Sequence, residues 1–196
     1  MNELKSLCVF CGSSTGDRSE FAEAARELGT LLGHRGIRLV YGGASVGLMG
    51  ALADAALEAG GEVVGVIPEP LFGKEVAHRG LTELHRVQSM HERKTLMYDL
   101  SDGFVALPGG LGTLEEIFEV LTWAQLGLHQ KPCGFLNVER YFDPLLAFLD
   151  EMVNRRFVKE KHRALVMASP DAKALLEMFG RFRAPRLEKW IESGET

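Results

Sequence analysis

Two charged residues of this chain fall where apolar side chains belong. Glu116 ends the turn PGGLGTLEE, residues 108–116, and Arg93 lies in the pattern MHERKTLMYDL, residues 90–100. On a helix, Glu116 falls at the edge of the stripe Ile117, Val120, Leu121, Ala124 and Leu128. Glu115 lies with Glu119 and Thr122, away from that stripe. Arg93 shares a face with Met90, Leu96, Met97 and Leu100 by i, i+3 and i+4 spacing. A cation in a first helical turn opposes the helix dipole. Arg93 therefore either snorkels to water or meets an anion, which is Glu116 or a ligand phosphate. Lys94 reads as its exposed neighbour. A carboxylate at such a place can orient or deprotonate water and stabilise a developing cation. A structural reading competes with this one. Thr113-x-x-Glu116 matches a capping box, in which Thr113 caps the helix and Glu116 reaches back to it.

Three loops resemble phosphate cradles. GSSTGD (12–17) supplies Gly12 and Ser13, GGASVGLMG (42–50) supplies Gly42 and Gly43, and PGGLGTLEE (108–116) supplies Gly109. Each follows an apolar run and leads into a helical pattern. Unpaired N–H groups at a helix start, together with the helix dipole, attract a phosphate. One such loop is an ordinary strand-to-helix turn; three in one chain point to a nucleotide or a sugar phosphate. No loop has the G-x-G-x-x-G spacing of dinucleotide binders, and no G-K-[ST] follows any of them, so a P-loop NTPase is excluded.

These loops need a scaffold. The apolar runs LCVFC (7–11), IRLVY (37–41), VVGVI (63–67), GFVAL (103–107), PCGFL (132–136) and ALVMA (164–168) are short and continuous. That pattern suits strands buried on both faces of a parallel sheet. Helical patterns over 19–34, 45–59, 91–101, 114–127 and 141–156 separate them. Ser169-Pro170-Asp171 reads as a further helix start, with Ser169 as N-cap and Pro170 at the first helical position. Strands alternating with helices predict an α/β fold, a Rossmann-like doubly wound parallel sheet with helices on both faces. Ligands in such sheets bind beyond the carboxyl ends of the strands, where strand order reverses. Residues 1–180 read as one nucleotide-monophosphate-binding domain and 181–196 as a polar tail. Segment 72–91 shows no helix or strand pattern and reads as a binding loop or lid.

The chain has 196 residues, of which 46% are hydrophobic and 25% charged, an ordinary balance for one globular domain. A net charge of -5 argues against a nucleic-acid groove or an anionic membrane surface. No apolar run approaches the roughly 20 residues of a membrane span, and no signal-peptide pattern opens the chain. The expected compartment is the cytoplasm. Cys8 and Cys11 form C-x-x-C inside a strand, where their side chains point to opposite faces, so they read as small buried apolar residues rather than a redox pair. His78, His85 and His91 lack metal-ligand spacing, and neither a metal nor another cofactor is expected.

PGGLGTLEE matches the motif P-G-G-x-G-T-x-x-E, and MHERK matches the arginine-lysine segment upstream of it. Together with FCGSS, YGGASVGLMG and LTWAQLGLHQKP, they make the chain from about Leu7 to about Phe157 resemble the LONELY GUY family of cytokinin riboside 5'-monophosphate phosphoribohydrolases. The resemblance implies hydrolysis of the N-glycosidic bond of an adenosine-type 5'-monophosphate, giving free base and ribose 5-phosphate. It implies Arg93 and Glu116 as the catalytic pair. It implies nucleotide contacts at Glu75, Lys94, Gly110, Leu111, Gly112, Thr113, Leu114, Glu115 and Thr122. It also implies a homodimer with the site near the subunit interface. Two alternatives stand beside this reading. One is a non-catalytic nucleotide or cofactor carrier, which would not need the glutamate. The other is an amino-acid decarboxylase, which would need pyridoxal phosphate and a Schiff-base lysine; Lys94 is the only lysine near the site.

Overall fold

A computed structural model describes residues 4–72 and 77–185. Seven parallel strands form one sheet: β1 (Ser6–Phe10), β2 (Arg38–Tyr41), β3 (Val63–Pro68), β4 (Glu83–Val87), β5 (Phe104–Ala106), β6 (Cys133–Leu136) and β7 (Val166–Ser169). Their spatial order is β4-β3-β2-β1-β5-β6-β7. The chain winds outward from β1 to β4, then returns to the other side of β1 as β5. The switch point thus lies between β1 and β5.

The connecting helices are α1 (Ser19–His34), α2 (Gly47–Glu58), α3 (Glu69–Phe72), α4 (Met90–Asp99), α5 (Leu111–Gln125), α6 (Asp143–Asn154), α7 (Glu160–Arg163) and α8 (Ala172–Arg181), with a 3-10 turn at Val138–Arg140. Continuous apolar strands leave no face for solvent, so both faces carry a core. Leu7, Val9 and Cys11 join Leu28 and Leu32 of α1, Leu52 of α2 and Leu175 of α8 on one face. Cys8 and Phe10 join Met97 of α4, Ile117 and Val120 of α5 and Phe142 on the other. The two cysteines therefore do point to opposite faces, and all three cysteines are free and buried.

Three sequence expectations change. Segment 72–91 contains β4, an edge strand of sequence ELHRV. Only Val87 of it is buried, so it shows no apolar run. The first turn of α8 is capped by Asp171, whose carboxylate accepts from Ala174 N–H at 2.6 Å, and not by Ser169. The Ser169 hydroxyl instead accepts from Asp171 N–H, one step before the helix. On α4 only Met97 is fully buried. Met90 is 44% exposed, because it lies at the rim of a pocket rather than under the sheet. Of the proposed tail, Phe182 packs against both core clusters, and residues 186–196 lie outside the described residues.

Candidate active site

The loops after β1, β2 and β5 meet at the switch point, as the topological rule requires. They do not form three equal cradles. Gly12 N–H donates to the Pro108 carbonyl at 3.1 Å, and Leu48 N–H donates to the Gly12 carbonyl at 3.1 Å. The start of α2 is covered by the backbone of Ser13 and Ser14: a Cβ at Gly47, whose φ is +60°, would lie 2.6 Å from Ser14 N. Gly43 has φ +79° and its carbonyl accepts from His78 N–H. Gly109 packs against Thr113, its Cα hydrogen facing Gly12. The start of α5 opens into space: a Cβ at Gly110 or Gly112 would meet nothing within 4 Å. Its first internal bond runs from Leu114 N–H to the Gly110 carbonyl at 3.2 Å. The N–H groups of Leu111, Gly112 and Thr113 therefore have no carbonyl within the helix.

Gly110 is the N-cap of α5, three residues earlier than the capping-box reading places it. Thr113 is buried in the first turn beside Gly109, and Glu116 does not fold back toward it. Instead Glu116 meets Arg93, with Nη1 to Oε1 at 3.4 Å. Both side chains are 11% exposed. Arg93 also donates from Nε to the Val66 carbonyl of β3 at 3.0 Å. The cation on the apolar face thus does have an anion, and a strand-end carbonyl as well.

A cavity of about 330 Å³ lies above this pair. The start of α5 (Gly110 to Thr113) forms one wall and Gly12, Ser13 and Gly42 the floor; Met49, Met90 and Met97 form an apolar side. Sequence reasoning did not assign the methionines to the site. Met90 and Arg93 at i, i+3 were the available signal. Leu114 is not among the cavity's lining residues, and the exposed Thr122 donates its hydroxyl to the Phe118 carbonyl of its own helix, away from the cavity. Glu75 lies outside the described residues.

Lys94 is not a free neighbour of Arg93. Its ammonium bridges Glu115 and Glu119, the latter at 3.0 Å, and its side chain is 16% exposed. Burial pushes its pKa down, but hydrogen bonds to Glu115 and Glu119 outweigh burial and leave it raised. Glu116 is raised as well: desolvation lifts its pKa, and the Arg93 charge opposes but does not cancel that lift. A buried carboxylate with a raised pKa beside an arginine, open to a cavity, is equipped as a base toward water.

A family model described as "Possible lysine decarboxylase" matches residues 49–179. A cytokinin riboside 5'-monophosphate phosphoribohydrolase of Rhodococcoides fascians is 51% identical, covering 85% of each chain. An Arabidopsis thaliana enzyme of that name is 47% identical, over 96% of this chain and 88% of its own. The chain belongs to the LONELY GUY family. A probable Oryza sativa member is 53% identical over 89% of this chain and 77% of its own. Among solved structures, the molybdenum cofactor binding protein of Rippkaea orientalis superposes with a TM-score of 0.69 at 21% identity, covering 92% of this chain and 98% of that one. That likeness is one of fold. The decarboxylase description sits poorly with the site: a Schiff-base lysine must lose its proton, whereas Lys94 is held protonated between two carboxylates. Among the described residues no group of three or more His, Cys, Asp or Glu side chains could hold a metal ion, and no helix is long and apolar enough to cross a membrane.

Proposed function

We propose that this LONELY GUY protein is an N-glycosyl hydrolase that cleaves adenosine-type, cytokinin riboside 5'-monophosphates to free base and ribose 5-phosphate. The observation that carries the reading is the buried Arg93–Glu116 pair one helical turn below the open N-terminus of α5. The free N–H groups of Leu111, Gly112 and Thr113 receive the 5'-phosphate. This sets the ribose over Glu116. Cleavage of the C1'–N9 bond builds an oxocarbenium-like ribose. The base departs with the C1'–N9 electron pair and is protonated from solvent water, while the Glu116 carboxylate stabilises the ribosyl cation and takes a proton from the water that adds at C1'. Arg93 keeps the carboxylate in place and lowers the cost of its charge; a guanidinium holds its protons too firmly to serve as a proton donor. Phosphate binding remote from the bond supports the chemical step.

The enzyme works as a homodimer in this reading. Leu111 is 86% exposed and Met90 44% exposed, both at the pocket mouth, and Lys94, Glu115, Glu119 and Thr122 line the outer side of the same two helices. Glu115 also lines this copy's own cavity, whereas a second copy set there would bring Lys94, Glu119 and Thr122, which do not, toward the nucleotide of the other. The cytoplasm is the compartment proposed.

The test is chromatography after incubation with adenosine monophosphate, its N6-isopentenyl analogue and the matching nucleosides. Release of base from the monophosphates alone is expected. Tight binding with no release would replace hydrolysis by carriage.

A further inference from the structure

Gly42 is the residue after β2, and its φ lies outside the left-handed region, so its backbone does not require glycine. Its surroundings do. A Cβ on Gly42 would overlap Nη2 of Arg93, and would lie 3.0 Å from Met49 Sδ and 3.6 Å from Arg93 Cζ. The other sides of the same guanidinium are occupied. Nε donates to the Val66 carbonyl at 3.0 Å, and Nη1 faces Glu116 at 3.4 Å and Met90 Sδ at 4.0 Å. The arginine thus rests in a three-sided seat, and the missing side chain at Gly42 is one of its walls.

We infer that Gly42 is a positioning residue of the hydrolase, its lack of a Cβ holding the Arg93 guanidinium against Glu116. The inference rests on the proposed hydrolysis only for its kinetic readout. The clash partner is the far end of a flexible side chain, not backbone, so Gly42→Ala leaves the fold standing and moves the guanidinium. Gly43 provides the contrast. The nearest atoms to a Cβ there are Leu84 and Ile67 at 3.3–3.4 Å and Val66 N at 3.4 Å, while its φ of +79° strains a residue that bears a side chain. Glycine is needed at 42 for Arg93 and at 43 for the backbone.

The experiment compares Gly42→Ala, Gly43→Ala, Arg93→Ala and the double variant Gly42→Ala/Arg93→Ala. Melting temperature, kcat, KM and the Glu116 titration midpoint, followed by carboxyl carbon-13 NMR, are the readouts. Besides Arg93, the charged or titratable groups facing Glu116 are Lys94 of α4, Glu115 and Glu119 of α5, and Cys8 and Cys11 of the β1 strand end. None of these is altered by the four variants. Gly42→Ala is expected to melt near the wild type and to lose about 10²-fold in kcat, the scale of an ångström-level misplacement, with a smaller change in KM. Its Glu116 midpoint moves up, in the direction Arg93→Ala moves it, and adding Gly42→Ala to Arg93→Ala moves it no further. Gly43→Ala lowers the melting temperature without a comparable midpoint change. An unchanged kcat and midpoint in Gly42→Ala overturns the inference, as does an equal midpoint shift from Gly42→Ala with and without Arg93. A wild type that releases no base sinks the proposed hydrolysis instead, and the titration still decides the seat.

Discussion

Arg93 and Lys94 are adjacent on α4, and each faces a carboxylate on α5, yet the two pairings differ in kind. Arg93 and Glu116 are both nearly sealed at 11% exposure and line the pocket. Lys94 bridges Glu115, which is 52% exposed, and Glu119, which is 23% exposed. Two consecutive residues of a helix point about 100° apart, so a single step along α4 moves a cation from the switch-point crevice to the outer rim. The inner pair carries a desolvation cost that its mutual attraction only partly offsets, which is why Glu116 stays raised. In the outer cluster Lys94 is 16% exposed, but it meets two carboxylates, of which Glu115 keeps about half of its exposure to water. An enzyme can use the first kind of pair because the carboxylate there is strained toward its neutral form and ready for a proton.

The sharpest way to break this comparison is to remove the base. Glu116→Gln keeps the shape and a hydrogen-bond acceptor but not the charge. It is expected to lower kcat by about 10²–10⁴-fold, the range of a positioned general base, with the fold intact by circular dichroism. Turnover equal to wild type would sink the mechanism. The equivalent loss from Glu115→Gln is expected to be far smaller.

Arg93→Ala comes next. It strands a buried carboxylate, and breaking a buried pair from one side costs about 3–5 kcal/mol. Denaturant unfolding at neutral pH checks this. Replacing both partners, Arg93→Ala with Glu116→Ala, is expected to cost less than the sum of the two single changes, because neither charge is then left alone. Strict additivity would mean that the 3.4 Å pair is not an energetic unit.

The third prediction follows from the direction of the Glu116 shift. Its pKa is raised above the ordinary 4.5, and the active form is the carboxylate, so kcat falls as pH drops through a midpoint above 4.5. For stability the sign is opposite. Between the unfolded and folded values the native state binds more protons, so this residue's contribution to stability falls as pH rises through that window. The enzyme is expected to gain activity over a pH interval in which Glu116 makes the fold less stable. A pH–kcat profile with its acid limb at or below 4.5 would contradict the buried assignment.

The scaffold was easier to read than the site. Five strands announced themselves because both of their faces are buried, which leaves an uninterrupted apolar run, and β7, an edge strand buried on alternate residues, showed through its apolar composition. β4 did not, since an edge strand with one buried residue looks like loop. Glu116 and Arg93 were visible as charges inside apolar stripes, and the structure brings them together. Thr113-x-x-Glu116 misled as a capping box: the pattern states only that two residues lie three apart, and Gly110 can start the helix one turn sooner. The three phosphate loops looked alike in sequence. Which of them keeps its N–H groups free depends on how the loops pack on each other, as when Ser13 and Ser14 cover the start of α2. The absent side chain at Gly42 matters only through a guanidinium brought to it by another helix, which no local pattern encodes.

The smallest effect belongs to the outer cluster and sharpens the contrast. Lys94→Met removes the ammonium but keeps the apolar stem. Pairs of this exposure contribute about 0.2–1 kcal/mol, so the melting temperature should move by a few degrees at most, and salt should reduce the difference further. The kinetic effect separates two roles. If Lys94 acts only within its own chain, kcat and KM stay near wild type. If it reaches the nucleotide held by a second copy, KM for the monophosphate rises while kcat and the Glu116 midpoint hold. The homodimer proposed above predicts the second result. Mixing Lys94→Met with Glu116→Gln subunits then gives a direct check. A site that needs the base of one copy and the lysine of the other regains turnover at low monophosphate concentration only in mixed dimers, where one copy supplies Glu116 and its partner Lys94.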